Sequence, residues 1–139
     1  MDVAEGFVKR FAEFWAAPSP EKMPALLTSD VVLIQPMSRP MVGIEAAQAE
    51  FRKLFAWLPD LHAIVDAWGA NGSALFIEFR LIATIGGRPV EWPVVDRFVL
   101  RGDKAEKRVT YFDALPLVIR LLKTPSAWPG WWRSGAARP

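Results

Sequence analysis

The stretch WPVVDRFVLRGDKAEKRVTYFD, from Trp92 to Asp113, decides the fold. It predicts a strand, a Gly-Asp turn and a second strand. In the first strand one parity holds Trp92, Val94, Asp96, Phe98 and Leu100, and the other holds Pro93, Val95, Arg97 and Val99. Because successive strand side chains point to opposite faces, Asp96 lies in an apolar row. A carboxylate in such a row must find a partner, face a cavity or take up a proton, which makes Asp96 the first candidate for chemistry.

Length and composition exclude several classes of protein. The 139 residues are enough for one domain with a single core, and the net charge of +2 is spread along the chain, which argues against nucleic acid as a partner. With no cysteine and a single histidine, His62, we expect no disulfide and no multi-histidine metal site, and we expect no cofactor. No apolar run is long enough for a membrane span, and the acidic N-terminus does not resemble a signal peptide. We therefore expect a cytoplasmic protein.

The first half of the chain predicts helices around one short strand. Residues 2–16 and Ile44–Leu58 have the apolar spacing of amphipathic helices, and the first carries an aromatic stripe. Between them the sequence predicts, in order, a helix that starts after Ser19 and runs through Leu27, a turn at Thr28-Ser29-Asp30, a strand over Val31–Gln35 and a loop over 36–43.

The second half predicts strands joined by hairpins. Leu61–Trp68 and Ser73–Ile85 are expected strands, and Asn71-Gly72 and Gly86-Gly87 are expected turns. A helix is expected over 115–123, with Asp113 as its cap. We divide the chain into a domain over 1–123 and a tail over 124–139, in which three tryptophans should pack on the domain or a partner and the end from Ser134 is expected to be disordered. Helices followed by an antiparallel meander predict an α+β fold, with a curved sheet wrapped over the N-terminal helices and a pocket between them.

This order of elements, with GRPVEWPVVDRFVLRGDKAEKRVTYFD as its last hairpin, resembles the nuclear transport factor 2-like superfamily and, within it, the SnoaL-like polyketide cyclase-type domains. The similarity covers roughly residues 3–122 and implies a cystatin-like, cone-shaped fold. Isomerases, cyclases, epoxide hydrolases, dehydratases and non-catalytic binding proteins share that fold, so each catalytic position needs its own check.

Ketosteroid isomerase, another member, uses an Asp base and an oxyanion hole made of a Tyr and a protonated Asp. The similarity places Asp96 at the protonated Asp, Gln35 at the base and Phe11 at or within a residue of the tyrosine. An amide is not a useful base and a phenylalanine cannot donate a hydrogen bond. Steroid isomerisation by that mechanism is therefore not expected.

Limonene-epoxide hydrolase, a further member, activates water with two Asp and an Arg. One of those Asp positions corresponds here to Thr110, before Tyr111-Phe112-Asp113. Glu78 and Arg80 have the separation of the other Asp and the Arg, in reversed order, and residues two apart share a strand face. An epoxide hydrolase that uses Glu78, Arg80 and Asp96 is therefore one hypothesis.

The function we expect is binding of a small hydrophobic or aromatic molecule that carries oxygen. Asp96 is the candidate acid/base residue of a cofactor-free isomerase, cyclase or lyase, and Tyr111 is its candidate catalytic partner. The expected ligand-binding residues are Gln35, Trp15, Phe11, Trp57, His62, Glu78, Arg80 and Trp92. One alternative for Asp96 is a buried ion pair with Arg80 or another arginine, and the alternative for the whole chain is a non-catalytic ligand-binding or interaction domain.

Two segments are expected to lie on the protein surface. The charged run from Arg101 to Arg108 is typical of a solvated turn. The outer sheet face is expected to carry Ile77, Phe79 and Leu81 against Val95 and Val99, which is too apolar for water. A homodimer through that face would cover it.

Overall fold

The structure is a computed structural model that describes residues 2–136. It confirms the α+β class, with helices on the concave side of a curved sheet. The helices are α1 (Val3–Ala16), α2 (Ile44–Trp57), α3 (Leu115–Leu122) and α4 (Trp128–Ser134), with short 3-10 helices at Pro20–Ala25 and Pro125–Ala127. The strands are β1 (Leu27–Ile34), β2 (Met41–Val42), β3 (His62–Asn71), β4 (Ala74–Ile85), β5 (Arg88–Arg101) and β6 (Lys104–Tyr111).

Helix α1 forms where the aromatic stripe predicts it. Asp2 begins it, since its Oδ1 accepts a hydrogen bond from the Glu5 amide at 2.7 Å. Its buried residues are Phe7, Val8, Phe11, Phe14 and Trp15. Phe11 packs edge-on against Phe79 of β4 and Phe98 of β5, with ring centroids 5.1 and 5.7 Å apart. The stripe therefore anchors the helix to the centre of the sheet.

The sheet has the order β2-β1-β6-β5-β4-β3, and it is mixed rather than purely antiparallel because β1 runs parallel to β6. The predicted turn at Thr28-Ser29-Asp30 is wrong, since these residues lie within β1. The register of β1 shifts between Leu27 and Val32, and Ser29 and Asp30 are exposed there. A polar stretch in an irregular strand resembles a turn in sequence, which explains the error.

The assignment of the outer sheet face was also wrong. Cross-strand partners share a face, and Ile77 is paired with Asp96 and Phe79 with Val94. Ile77 and Phe79 are buried on the concave side, and Leu81, paired with Trp92, lies on that side too. Both parities of β4 carry apolar residues, so alternation alone does not say which one faces the core. Phe76, Glu78 and Arg80 have the opposite parity, and their side chains face outward.

The C-terminal segment packs back onto the domain. Asp113 accepts a hydrogen bond from the Leu115 amide at 3.0 Å, but it lies one residue before the N-cap of α3, which is Ala114, so the predicted cap is displaced by one residue. Helix α4 packs against α2, and Ala136 is buried. The expected disorder is therefore not found over Ser134–Ala136, and residues 137–139 lie outside the described part of the chain. The division into a domain and a tail stays a prediction.

Candidate functional site

A cleft lies between the concave sheet face, α2 and the C-terminal segment, and it encloses about 90 Å³. Its wall is mostly apolar and aromatic. The aromatic residues that line it are Trp15, Phe51, Trp57, Phe79, Trp92 and Phe112. Its polar lining comes from the loop after β1, from α2 and from strands β5 and β6, and consists of Gln35, Ser38, Glu50, Asp96, Arg108 and Thr110. A small apolar space with a few converging polar groups is the usual form of a ligand site.

Asp96 lies in the floor of this cleft. It stands in the middle of β5, between Ile77 of β4 and Thr110 of β6, and is 1% exposed. The Thr110 hydroxyl donates a hydrogen bond to its Oδ1 at 2.5 Å. The apolar row in the sequence thus does place this carboxyl group on the concave face.

Burial raises the pKa of Asp96 above its ordinary value, because the charged form loses its hydration. The positive charge of Arg108 and the hydrogen bond from Thr110 act against that rise without cancelling it. A carboxyl group of this kind can hold a proton for donation in a site that excludes water, and its conjugate base can take one back.

Arg108 is the residue that the sequence analysis missed. It was assigned to a solvated turn, but it is 6% exposed and lines the cleft from β6. Leu100 lies opposite Ala105 and Val99 lies opposite Lys107, so Glu106 has no partner on β5 and forms a β-bulge. After the bulge, the even-numbered residues of β6 face inward instead of the odd-numbered ones. Ala105 and Arg108 therefore both point inward. Arg108 lies two residues before Thr110, so the two side chains share a strand face, and the sequence could have placed Arg108 in the site on that ground.

Besides Asp96, the structure brings five of the predicted site residues to the cleft or next to it. Gln35 accepts a hydrogen bond from the Arg108 guanidinium through its Oε1. Trp15, Trp57 and Trp92 line the cleft itself. Phe11 lines a second, smaller cavity of about 30 Å³ toward the narrow end, and Asp96 and Arg108 line both cavities.

Four predicted site residues do not line the cleft. Tyr111 is 51% exposed and is paired with Val95 on the convex face, because Thr110 takes the inward position. The His62 ring contacts the Asp60 carbonyl at 2.9 Å at the start of β3.

Glu78 and Arg80 are the other two, and both belong to the outward parity of β4. Arg80 does not pair with Glu78 but with Asp66 at 3.0 Å and Glu91 at 3.2 Å. Arg80 is therefore not the buried partner of Asp96. The charge that acts on Asp96 is Arg108, which corresponds to the "another arginine" of the ion-pair alternative.

Two further absences concern the described residues only. Within residues 2–136, no three histidine, aspartate or glutamate side chains are grouped so that they could hold a metal ion. No helix in that part of the chain is long and apolar enough to cross a bilayer.

Comparisons with known proteins agree with this fold. A family model described as "SnoaL-like domain" matches residues 8–107. A proposed SnoaL-like polyketide cyclase from Jannaschia sp. CCS1 is 21% identical, with 84% of this chain and 89% of that chain covered and a TM-score of 0.73. An NTF2-like protein from Anabaena variabilis is 26% identical over 80% of this chain and 87% of that chain, with a TM-score of 0.67. TerC, co-crystallized with polyporic acid, is 12% identical over 85% and 97%, with a TM-score of 0.76. No curated protein matches significantly.

Proposed function

The chain belongs to the SnoaL-like domain family, and on that premise we propose that its cleft binds a small hydrophobic or aromatic molecule that carries oxygen. Asp96 acts on this molecule as a general acid and base, in an isomerase, cyclase or lyase reaction that needs no cofactor. The observation that carries the proposal is a carboxyl group with 1% exposure in the floor of an apolar cleft. TerC, a protein of the same fold, was co-crystallized with polyporic acid.

The proposed chemistry is proton transfer next to a carbonyl group. The Asp96 carboxylate takes a proton from the carbon that lies between a carbonyl group and a C=C bond of the ligand; the C–H electron pair forms a new C=C bond, and the carbonyl π pair moves to the oxygen to give a dienolate. When the carbonyl re-forms, Asp96 returns the proton to the far end of the dienolate, so the original double bond has moved and the enzyme is unchanged. The Arg108 guanidinium supplies positive charge for the enolate oxygen in a site with little water.

The size of the cleft limits the ligand. A volume of about 90 Å³ is well below the range of roughly 300–1,000 Å³ that is typical of drug-sized ligands. We therefore propose a compound with one ring rather than a larger one as the ligand. A larger ligand requires that the C-terminal segment move, because Leu117 and Ala136 form part of the wall.

The epoxide-hydrolase hypothesis loses its support in this geometry. Glu78 and Arg80 do not line the cleft, and they lie on the face opposite to Asp96. Asp96 thus lacks the second acid and the arginine that the hypothesis assigned to those positions.

A non-catalytic binding domain remains the second candidate. The other carboxylate in the lining is Glu50, which is engaged with Lys53 at 3.5 Å on α2. A site with one buried acid and no second free base is also compatible with a protein that binds its ligand without catalysis.

Deuterium exchange separates the two candidates. The α-hydrogens of cyclohexanone in heavy water, followed by NMR, report proton abstraction on a one-ring ketone. We expect the protein to accelerate the exchange and Asp96→Asn to lower the catalysed rate by about 10²–10⁴-fold. The matched control is Asp113→Asn, an exposed aspartate outside the cleft, which should leave the rate unchanged. If cyclohexanone binds but neither protein accelerates exchange, the binding domain is the correct function.

We also propose that the partner on the convex sheet face is a second copy of this chain. Ile77, Phe79 and Leu81 face inward and cannot contribute to this interface. The exposed apolar residues of the convex face are Ile64, Phe76 and Tyr111. Charges of both signs stand beside them, from Asp66 and Glu91 to Arg80 and Arg97. A face with both signs can be its own partner across a twofold axis.

A further inference from the structure

Arg108 is buried at a cost that its contacts in the protein do not offset. The residue is 6% exposed, and its guanidinium lies over the Phe51 ring with 5.6 Å between Cζ and the ring centroid. A guanidinium has five N–H donors and stays charged in proteins. Burying such a group is expensive unless its donors are matched by acceptors.

Most of those donors are unmatched by the protein. Among residues 2–136, Gln35 is the one hydrogen-bond partner of the Arg108 guanidinium, and the Nε–H has none. Two arginines that are more accessible make the contrast clear. Arg80 pairs with Asp66 and Glu91, and Arg101 pairs with Asp30 and Glu106. Of these three arginines, the buried one has the fewest acceptors.

Asp96 does not fill this gap. It interacts with Arg108 through charge, while its recorded hydrogen bond is the one from Thr110. Whenever Asp96 holds its proton, the cleft carries an uncompensated positive charge. The Trp92 indole N–H, in the same wall, is also buried without an acceptor among the described residues.

We propose that the ligand of this cleft carries an anionic oxygen, as a carboxylate or an ionised enol or phenol, and that Arg108 binds it. The proposal rests on the proposed function in one respect, namely that the cleft is the ligand site. Arginine matches a carboxylate with two parallel N–H···O bonds, and these charge-assisted bonds are about twice as strong as neutral ones. The anion supplies the hydrogen-bond acceptors and the negative charge that the protein does not provide.

The test compares benzoate with benzamide, which have nearly the same shape and differ in charge at the group that Arg108 would bind. Titration calorimetry at neutral pH measures both dissociation constants. We expect the wild-type protein to bind benzoate at least about tenfold more tightly than benzamide. Equal affinities, or no binding of benzoate at about 10 mM, overturn the proposal. This comparison needs no variant, so it stands even if Arg108 is required for folding.

Variants then assign the preference to Arg108. Arg108→Met should remove it, so that benzoate binds no better than benzamide, whereas Arg101→Met, a surface arginine on β5, should keep the wild-type ratio. If Arg108→Met does not fold, Arg108→Lys replaces it and should reduce the ratio several-fold, since an ammonium cannot form the two parallel bonds. A preference that survives in the folded variant refutes the role of Arg108.

The outcome is separable from that of the proposed function. Asp96→Asn should retain the preference for benzoate, since the guanidinium remains. If Asp96→Asn leaves cyclohexanone exchange unchanged while benzoate is still preferred, catalysis by Asp96 is wrong and the anion site stands. If exchange depends on Asp96 and benzoate is not preferred, the reverse holds.

Discussion

At the scale of single residues, Asp96 shows how its neighbours determine what a carboxyl group can do. The sequence places it in an apolar row, but its chemistry depends on Thr110 and Arg108, which come from the next strand. The hydroxyl contacts one oxygen at 2.5 Å, and the guanidinium acts through charge. Neither replaces the hydration that a carboxylate has in water, so the proton is held more tightly in the folded state.

The raised pKa of Asp96 predicts a pH dependence of stability. Between the ordinary pKa of 3.8 and the higher value in the folded protein, the folded state holds a proton that the unfolded state has lost. The wild-type free energy of unfolding should therefore fall across this window as the pH rises. Asp96→Asn removes the titration, so its stability relative to wild type should increase with pH. Urea unfolding at about pH 4 and about pH 8 measures this difference.

Asp60 provides a control of opposite sign. The side-chain and backbone hydrogen bonds from Thr84 lower its pKa from the ordinary 3.8. Its contribution is present above pH 3.8 and is lost as the pH falls through the lower value of the folded state. Asp60→Asn should thus be less stable than wild type at high pH and approach it in acid. A common slope for both variants would mean that the effect is not specific to burial of Asp96.

At the scale of elements, the turn between β4 and β5 and the end of α3 are fitted to each other. Gly86 has a φ of +61°, and a Cβ built on it would lie 2.0 Å from Cγ2 of Thr124. Gly87 has a φ of +77° with nothing within 4 Å. The two glycines therefore carry the same backbone requirement, but only Gly86 also provides room for the segment that closes the cleft.

Substitution by alanine should separate these two roles. Gly86→Ala is expected to destabilise the protein more than Gly87→Ala, by about 1–3 kcal/mol, because it adds a clash to the same strain at positive φ. Thermal unfolding measures the difference. Thr124→Ser removes the Cγ2 and should recover most of that excess in the double variant with Gly86→Ala. Equal losses for the two glycine variants would show that the contact with Thr124 does not matter.

At the scale of the whole molecule, the convex sheet face is where an assembly would form. Ile64, Phe76 and Tyr111 are 44%, 39% and 51% exposed on it. A stable interface needs roughly 800 Å² from each partner, which a six-stranded sheet can supply. The concave face is unavailable because α1 and α2 cover it.

The dimer predicts a mass in solution of twice 15.6 kDa. Light scattering at micromolar concentration measures it. Phe76→Lys should shift the mass to that of the monomer, since it places a second positive charge opposite Arg97 in the buried interface. Val3→Glu on α1, an apolar residue with 55% exposure that is not part of the sheet, is the control and should stay dimeric. A wild-type protein with the mass of a monomer would refute the dimer.

The sequence by itself determined the two long helices, the hairpins and the α+β cone, because periodicity and turn residues are local properties. It also predicted a pocket role for Asp96 from its strand parity, for Gln35 from its family position, and for Trp15, Trp57 and Trp92, and all five residues line the cleft. Only the tertiary structure decided the rest. The cross-strand register assigned the two faces of β4, and the bulge at Glu106 turned Arg108 inward and left Tyr111 outward. A shift of one residue exchanges the faces of a strand, and it depends on the neighbouring strand rather than on the strand's own sequence.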